Sequence, residues 1–283
     1  MTAAEYSIRA MSREEAATAA DWARGEGWNP GLADIDGFLP VDREGFIAGV
    51  LDGRMIASIS AVRYGPEYGF VGFYIVDKPW RGRGYGIRLW RAAMDRLAGV
   101  ACVGLDGVLA EEPSYRKSGF VSAYRNRRYG GSPPHASSVP AGLVDARAVP
   151  IGDLVALDRA MFPARRQEFL EAWISLSGHR ALAATADGRV AGFGVARPCI
   201  QGFKLGPLYA ESPAMAGHLI AGLCMGMGKG PAFLDVPAVN PAAVALAETL
   251  GWSVSFETAR MYRGPAPLVD LARLYGVASF ELG

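Results

Sequence analysis

Apolar positions along this chain recur with two periods, one helical and one strand-like. Ile87, Trp90, Met94 and Leu97 fall at helical spacing, with Arg88, Arg91, Asp95 and Arg96 on the other side, which predicts a helix with one core-facing stripe. A second helix is expected from Arg13 to about Ala23, with Ser12 as N-cap and Glu15 as its capping-box partner. Strand-like runs occupy Tyr6 to Ala10, Gly45 to Leu51, Met55 to Tyr64, Phe70 to Val76 and Ala101 to Leu105. Asp52-Gly53-Arg54 separates two of these as a hairpin turn. A short helix from Pro113 follows, then a two-strand ending in which Gly119-Phe120 leads to Arg128-Tyr129-Gly130.

The pattern breaks at Gly130 to Pro140, whose glycines, prolines and small polar residues have linker composition. Beyond it the same order returns. Asp187-Gly188-Arg189 separates the runs Ala181 to Ala186 and Val190 to Arg197, and Gly251-Trp252 leads to Arg260-Met261-Tyr262-Arg263-Gly264. Helices are expected at about Ile151 to Met161, Arg165 to Leu176, Ser212 to Met225 and Pro241 to Leu250. An internal duplication of one α/β unit accounts for this. The expected boundaries are 1–130 for the first copy, 131–141 for the linker and 142–283 for the second copy with its C-terminal tail.

The stretch richest in chemistry is Val71 to Gly86: an apolar strand, a basic glycine-rich loop, then the helix of Ile87 and Trp90. Glycines at 82, 84 and 86 let main-chain N–H groups approach an anion, and the helix presents its positive end to the same place. Arg81 and Arg83 add charge. A Walker loop is excluded, because no Gly-x4-Gly-Lys-Ser/Thr run exists. A dinucleotide fingerprint would need its third glycine where Ile87 stands, although Asp106 lies about 20 residues on, as a ribose-binding acid would.

A third reading is that Arg81-x-x-Gly84-x-Gly86, entered from a strand, resembles the acyl-CoA pyrophosphate loop of the GNAT superfamily of N-acetyltransferases. Tyr115-Arg116-Lys117-Ser118-Gly119-Phe120 strengthens the resemblance, since these enzymes commonly carry a Tyr four residues before a Gly-Phe pair at this point. The whole chain resembles tandem-GNAT proteins with a divergent C-terminal GNAT-like domain. In the second half this rests on Gly206-Pro207-Leu208-Tyr209-Ala210, Asp235-Val236-Pro237 with Asn240-Pro241, and Arg260-Met261-Tyr262. The resemblance implies an α/β (α+β) fold of two tandem domains, each a mixed, mainly antiparallel central sheet flanked by helices. The second copy reads Gly206 to Met215 where the first has its glycine loop, with Glu211 and no arginine, and Ala247 where the first has Tyr115. One acyl-CoA site per chain is therefore expected, in the first half.

Carried over residue by residue, the resemblance makes Tyr74, Ile75 and Val76 the backbone contacts of the pantetheine arm. Arg81, Gly82, Arg83, Gly84, Tyr85 and Gly86 become the pyrophosphate cradle. Tyr115 becomes the general acid toward the departing thiolate, or else a packing tyrosine. The strand before the loop contains no acid, so the general base is sought in Asp106, the preferred candidate, or Glu67. Trp28 and Asn29, in the loop Glu26 to Gly31, are candidate acceptor contacts or else a cap and turn. Trp22 and Trp80 read as core or loop-anchoring residues, and Arg125, Arg127 and Arg128 as the solvated face of a terminal strand.

Composition narrows the setting. With 283 residues and a net charge of +1 the chain can bury two cores and carries no global field for nucleic acid or anionic membrane. Met1 to Ser12 lacks a signal-peptide core, and Leu219 to Met227, the longest apolar run, is too short and glycine-rich to span a bilayer. Cys102, Cys199 and Cys224 are widely separated and odd in number, and His135, His179 and His218 are isolated. That spacing argues for reduced, buried thiols in the cytoplasm and against a metal site. The expected activity is transfer of an acetyl group from acetyl-CoA to a primary amine of a small molecule or peptide. The alternative is a catalytically inactive acyl-CoA-binding sensor.

Overall fold

The computed structural model describes residues 5–283. The reading of Met1 to Ser12 therefore falls in part, at residues 1–4, outside the described residues. The first half runs β1 (Tyr6–Ala10), α1 (Arg13–Gly25), α2 (Asp34–Phe38), β2 (Phe46–Leu51), β3 (Arg54–Arg63), β4 (Tyr68–Val76), α3 (Tyr85–Arg96), β5 (Cys102–Val108), α4 (Glu112–Lys117) and β6 (Val121–Gly131). The second runs β7 (Leu143–Asp145), α5 (Ile151–Met161), α6 (Gln167–Ser175), β8 (Arg180–Ala186), β9 (Arg189–Pro198), β10 (Phe203–Ala210), α7 (Pro213–Cys224), β11 (Ala232–Pro237), α8 (Pro241–Thr249), β12 (Ser253–Arg263) and β13 (Leu274–Gly276).

Local chemistry explains many of these boundaries. The Ser12 hydroxyl accepts from the Glu15 amide while the Glu15 carboxylate accepts from the Ser12 amide at 2.9 Å, closing the capping box of α1. Asp52 and Gly53 have φ of 48° and 80°, and Asp187 and Gly188 have 49° and 74°. Two successive left-handed residues give the turn twist that a two-residue hairpin needs.

The expected two-strand ending is replaced in each half by one eleven-residue strand, and the halves exchange them. The sheet order is β1-β2-β3-β4-β5-β12-β6-β11-β10-β9-β8-β7. Thus β12 lies antiparallel between β5 and β6, and β6 antiparallel between β12 and β11. Val121 to Tyr129 contains no turn dipeptide at which to fold back, and both edges of β6 find partners in the other half.

A buried ion pair fastens each exchanged strand. On β6, Arg128 donates from Nε and a terminal nitrogen to Asp235 of β11 at 2.6 and 2.8 Å. On β12, Arg260 does the same to Asp106 of β5 at 2.8 and 2.6 Å. The two pairs are equivalent in the duplication. Arg128 is thus 3% exposed, against the expected solvated face; only its neighbours Arg125 and Arg127 reach the surface, facing Glu112 and Glu257.

Helices α1, α2, α5 and α6 close over one face of the sheet in a single core that includes Ala19, Phe38, Phe73, Leu154, Trp173 and Phe193. Leu89, Trp90 and Ala93 of α3, with Leu97 at its C-cap, pack the opposite face of the first half. Helices α7 and α8 do so in the second. No helix among the described residues is long and apolar enough to cross a membrane.

His179 sits in the shared core, edge-on to Trp173 at 4.9 Å with Nδ1 2.8 Å from the Trp173 carbonyl oxygen. Burial, and then the Arg197 charge, push this imidazole down to about 4. The unfolded chain takes up the proton near pH 6.5, so this contribution is complete above pH 6.5 and is lost as pH falls toward 4. The ceiling is about 3 kcal/mol. Urea titrations at pH 7 and pH 4.5 should therefore show a loss of stability that is smaller in His179→Phe. An equal loss in both proteins would assign acid sensitivity elsewhere.

Candidate active site

The parallel pairing of β4 with β5 runs from Tyr68 and Cys102 to Val71 and Leu105 and then stops, although both strands continue. The cause is a bulge in β4. Ser58 of β3 faces Ile75, but Ser60 faces Gly72, so β4 carries one extra residue. Phe73 absorbs it at φ 47°, an unusual conformation for a non-glycine residue, and its carbonyl accepts from the Ser58 hydroxyl at 2.8 Å. A bulge bends the strand that carries it. Here it opens a cleft of about 540 Å³ between Gly72 to Val76 and Leu105 to Val108. Tyr74, Ile75 and Val76 all line it, with main-chain groups along the splayed edge.

At the end of β4 the cleft meets the glycine loop. Gly82 and Gly84 have φ of 74° and 83°, and open space where a Cβ would project. Gly84 caps α3, whose first-turn N–H groups have no helical acceptor. Gly86 has a different reason to be glycine: its Cβ would lie 2.8 Å from the Tyr74 hydroxyl and 3.0 Å from Val76. Burial pushes that Tyr74 hydroxyl up to about 12.

The loop's side chains depart from the expected cradle. Arg81 lines the cleft, but its guanidinium donates to the Val76 carbonyl at 2.8 Å and to Glu26 at 2.6 Å, so it braces the loop with its charge largely matched. Arg83 stacks over Trp80 at 5.1 Å. Tyr85 turns away to Tyr6, 4.9 Å between ring centroids. Neither Arg83 nor Tyr85 lines the cleft, so what these two positions offer an anion is backbone.

Tyr115 lines the cleft between α3 and β5, its ring 5.5 Å from Trp90 and over Gly107, where a Cβ would come within 2.4 Å of the ring. Burial, then the nearby Glu111 and Tyr74, hold its hydroxyl well above the usual phenol range. It therefore stays protonated, the state a proton donor requires.

The acceptor and base candidates separate. Trp28 lines the cleft, and its carbonyl accepts from Arg128 at 2.7 Å and from Lys204 at 3.1 Å. Asn29 does not line it: its amide pairs with the backbone of Gln201, pinning the α1–α2 loop to the second half. Asp106 borders the cleft, but both its oxygens are taken by Arg260, and Asn126 donates to one of them at 2.8 Å. That geometry makes Asp106 a fastening for β12 rather than an open proton acceptor. Glu67 is 73% exposed and faces Arg159 at 3.5 Å, away from the cleft.

The second half contributes cleft residues that no local pattern announces: Phe256 and Thr258 of β12, and Phe280 and Glu281 of the tail. The same tail occupies the equivalent gap of the second half. There β10 and β11 pair only from Phe203 to Leu205, and β13 takes the edge of β10 beyond. Asn240 donates to the carbonyls of Ala272 and Leu274, and the Val277 amide donates to the Asp235 carbonyl. Glu211 is matched by Arg189 and Arg273.

Comparison with known proteins agrees with this duplication. Residues 9–120 match the acetyltransferase (GNAT) family model, and residues 154–276 match an acetyltransferase (GNAT) domain model. Holothin acyltransferase of Pseudoalteromonas sp. (strain SANK 73390) is 33% identical over 280 residues, covering 98% of this chain and 95% of that protein. The uncharacterized N-acetyltransferase YitH of Bacillus subtilis (strain 168) is 28% identical over 236 residues, covering 82% of this chain and 83% of its own. A putative acetyltransferase from Pyrococcus horikoshii shares the fold with a TM-score of 0.83 at 22% identity, over 98% of this chain and 96% of that one.

Proposed function

This chain belongs to the GNAT acetyltransferase family and is an acyltransferase with two GNAT domains in tandem, and we propose that its first half transfers an acetyl group from acetyl-CoA to a primary amine of a small molecule or peptide. The observation that carries this reading is the bulge at Phe73, which splays β4 from β5 and runs an open main-chain edge to the glycine cradle. A cleft of about 540 Å³ is in the range of pockets that take small ligands. In this account residues 1–130 supply the cosubstrate site, 131–141 join the halves, and 142–283 keep the fold with their own gap filled.

Gly82, Gly84 and the first turn of α3 hold the diphosphate through backbone N–H groups and the helix dipole. The backbone of Tyr74 to Val76 orients the pantetheine arm, and an N–H of this edge faces the thioester oxygen as negative charge develops there. Tyr115 gives its proton to the departing sulfur. Trp28 walls the acceptor end. Separate, buried, free cysteines favour a reducing compartment, the cytoplasm.

Thiol release from acetyl-CoA, followed against a panel of primary amines and against holothin, the compound for which the 33% identical relative is named, tests the assignment. Amine-dependent release is the expected result. Tight acetyl-CoA binding without release on any amine would support the sensor reading instead.

A further inference from the structure

The tail that fills the second half's gap continues into the first half. Residues 277–283 are buried throughout. The Glu281 backbone lies against Gly72 so closely that a Cβ there would come within 2.2 Å of the Glu281 carbonyl oxygen, and the Tyr64 hydroxyl donates to the Leu282 carbonyl at 2.9 Å. This seats Glu281 where β4 leaves β5. Four residues of strand, roughly 10–13 Å, separate Gly72 from the cradle end of β4. The acid therefore stands at the opposite end of the splayed edge from the glycine loop.

Glu281 is 3% exposed, lines the cleft, and its carboxylate accepts no hydrogen bond from another residue among those described. Its charged surroundings come from four elements: Lys204 on β10, Arg128 on β6, Arg197 on β9 and Asp34 on α2. Arg128 is committed to Asp235, Arg197 to Asp34, and Lys204 donates to the Trp28 carbonyl. Each of these groups has an ionic or hydrogen-bond partner, although the buried Nη2 of Arg197 makes no hydrogen bond, whereas Glu281 lines the cleft. Phe280 and Phe256, 6.1 Å apart, flank it beside Trp28.

We infer that Glu281 is the acid that accepts the acceptor's ammonium proton, so that the second half completes the first half's active site, for a primary amine carried on a flat, apolar body. The inference rests on the acetyl-transfer reading of this cleft. Burial raises the Glu281 carboxyl, and Lys204 draws it back, which makes it a better proton acceptor than an exposed glutamate. One ammonium proton passes to the Glu281 carboxylate and from there to water. The amine nitrogen forms a bond to the thioester carbon, and the carbon–sulfur bond breaks with its electron pair on sulfur. The thiolate takes the Tyr115 proton, and the second proton shed by nitrogen restores that phenol. The sum is ammonium and acetyl-CoA giving amide, free thiol and one proton.

The test compares the full chain with Glu281→Gln and Glu281→Asp, using acetyl-CoA with benzylamine, tryptamine and aliphatic amines, and measuring acetyl-CoA affinity and the pH profile of kcat/KM. Glu281→Gln is expected to keep acetyl-CoA affinity, to lose about 100-fold in kcat/KM at pH 7, and to lose the acid limb set by this carboxylate. Glu281→Asp should retain a limb, displaced, at reduced rate. Wild-type kcat/KM and an unchanged limb in Glu281→Gln would overturn the inference while leaving acetyl transfer in place. Loss of acetyl-CoA affinity together with turnover would also overturn it, assigning Glu281 to the cleft wall. Should Glu281→Gln not fold, an unmoved limb in Glu281→Asp decides against the role and a displaced limb decides for it. No thiol release by the wild type on any amine would instead remove the acetyl-transfer reading on which the inference rests.

Discussion

Arg260→Met alone, or Asp106→Asn alone, is expected to cost about 3–5 kcal/mol of stability, because each leaves one member of a buried pair without its counter-ion. Asp106 has no side-chain exposure and Arg260 only 6%, and the pair ties β12 of one half to β5 of the other. The double variant Asp106→Asn/Arg260→Met removes both charges and should recover most of the loss, since a buried pair exchanged as a unit costs little. Urea unfolding of the two single variants and the double reads the coupling directly. The same double variant separates structure from chemistry. Wild-type thiol release by a refolded Asp106→Asn/Arg260→Met makes Asp106 a fastening. A selective loss of turnover in it, with stability and acetyl-CoA affinity kept, would return the base role to Asp106.

Tyr115→Phe is expected to lower kcat by about 100-fold or more, the lower end of what a positioned proton donor supplies and some 2.7 kcal/mol of barrier. Acetyl-CoA affinity and melting temperature should hardly move. The ring keeps its contacts with Trp90 and Gly107, and no described residue hydrogen-bonds to the hydroxyl that is removed. Burial raises the Tyr115 hydroxyl, so the neutral donor persists to higher pH than a free phenol, and the wild type should show no alkaline fall assignable to it below pH 10. Pre-steady-state thiol release measures this without interference from product dissociation. An unchanged kcat would make Tyr115 a packing residue and leave the thiolate to be protonated by solvent.

Local features of this molecule could be read from the chain because their causes are local. The Ser12 capping box, the Asp52-Gly53 and Asp187-Gly188 turns and the Ser212 cap of α7 each depend on a few neighbouring residues. The left-handed Gly82 and Gly84 belong to the same class. The exchange of β6 and β12 does not. Both strands present edges that any antiparallel partner could satisfy, and the ion pairs that fasten them join residues far apart in the chain, Arg128 to Asp235 across 107 residues and Arg260 to Asp106 across 154.

The same distinction runs through the site. The glycine spacing marks a loop that turns left-handed at Gly82 and Gly84, but the side chains of Arg81 and Arg83 are held by Glu26 and Trp80, residues the motif does not include. Asn29 turned to Gln201 for a comparable reason: its amide finds a backbone partner in the other half at 2.9–3.0 Å. Glu281 carried no signal in the sequence, since a lone acid in a short apolar tail acquires meaning only when the tail is laid against Gly72.

One acyl-CoA site per chain is expected, in the gap between β4 and β5, because β13 fills the second gap. Isothermal titration of the full chain with acetyl-CoA, beside Gly84→Val, tests it most directly. Gly84 combines φ of 83° with open space where a side chain would project into the cradle, so valine there both strains the turn and occupies the anion's place. The wild type is expected to bind at one site per chain, and Gly84→Val to show no measurable binding. Two sites per chain, or unchanged affinity in Gly84→Val, would contradict it.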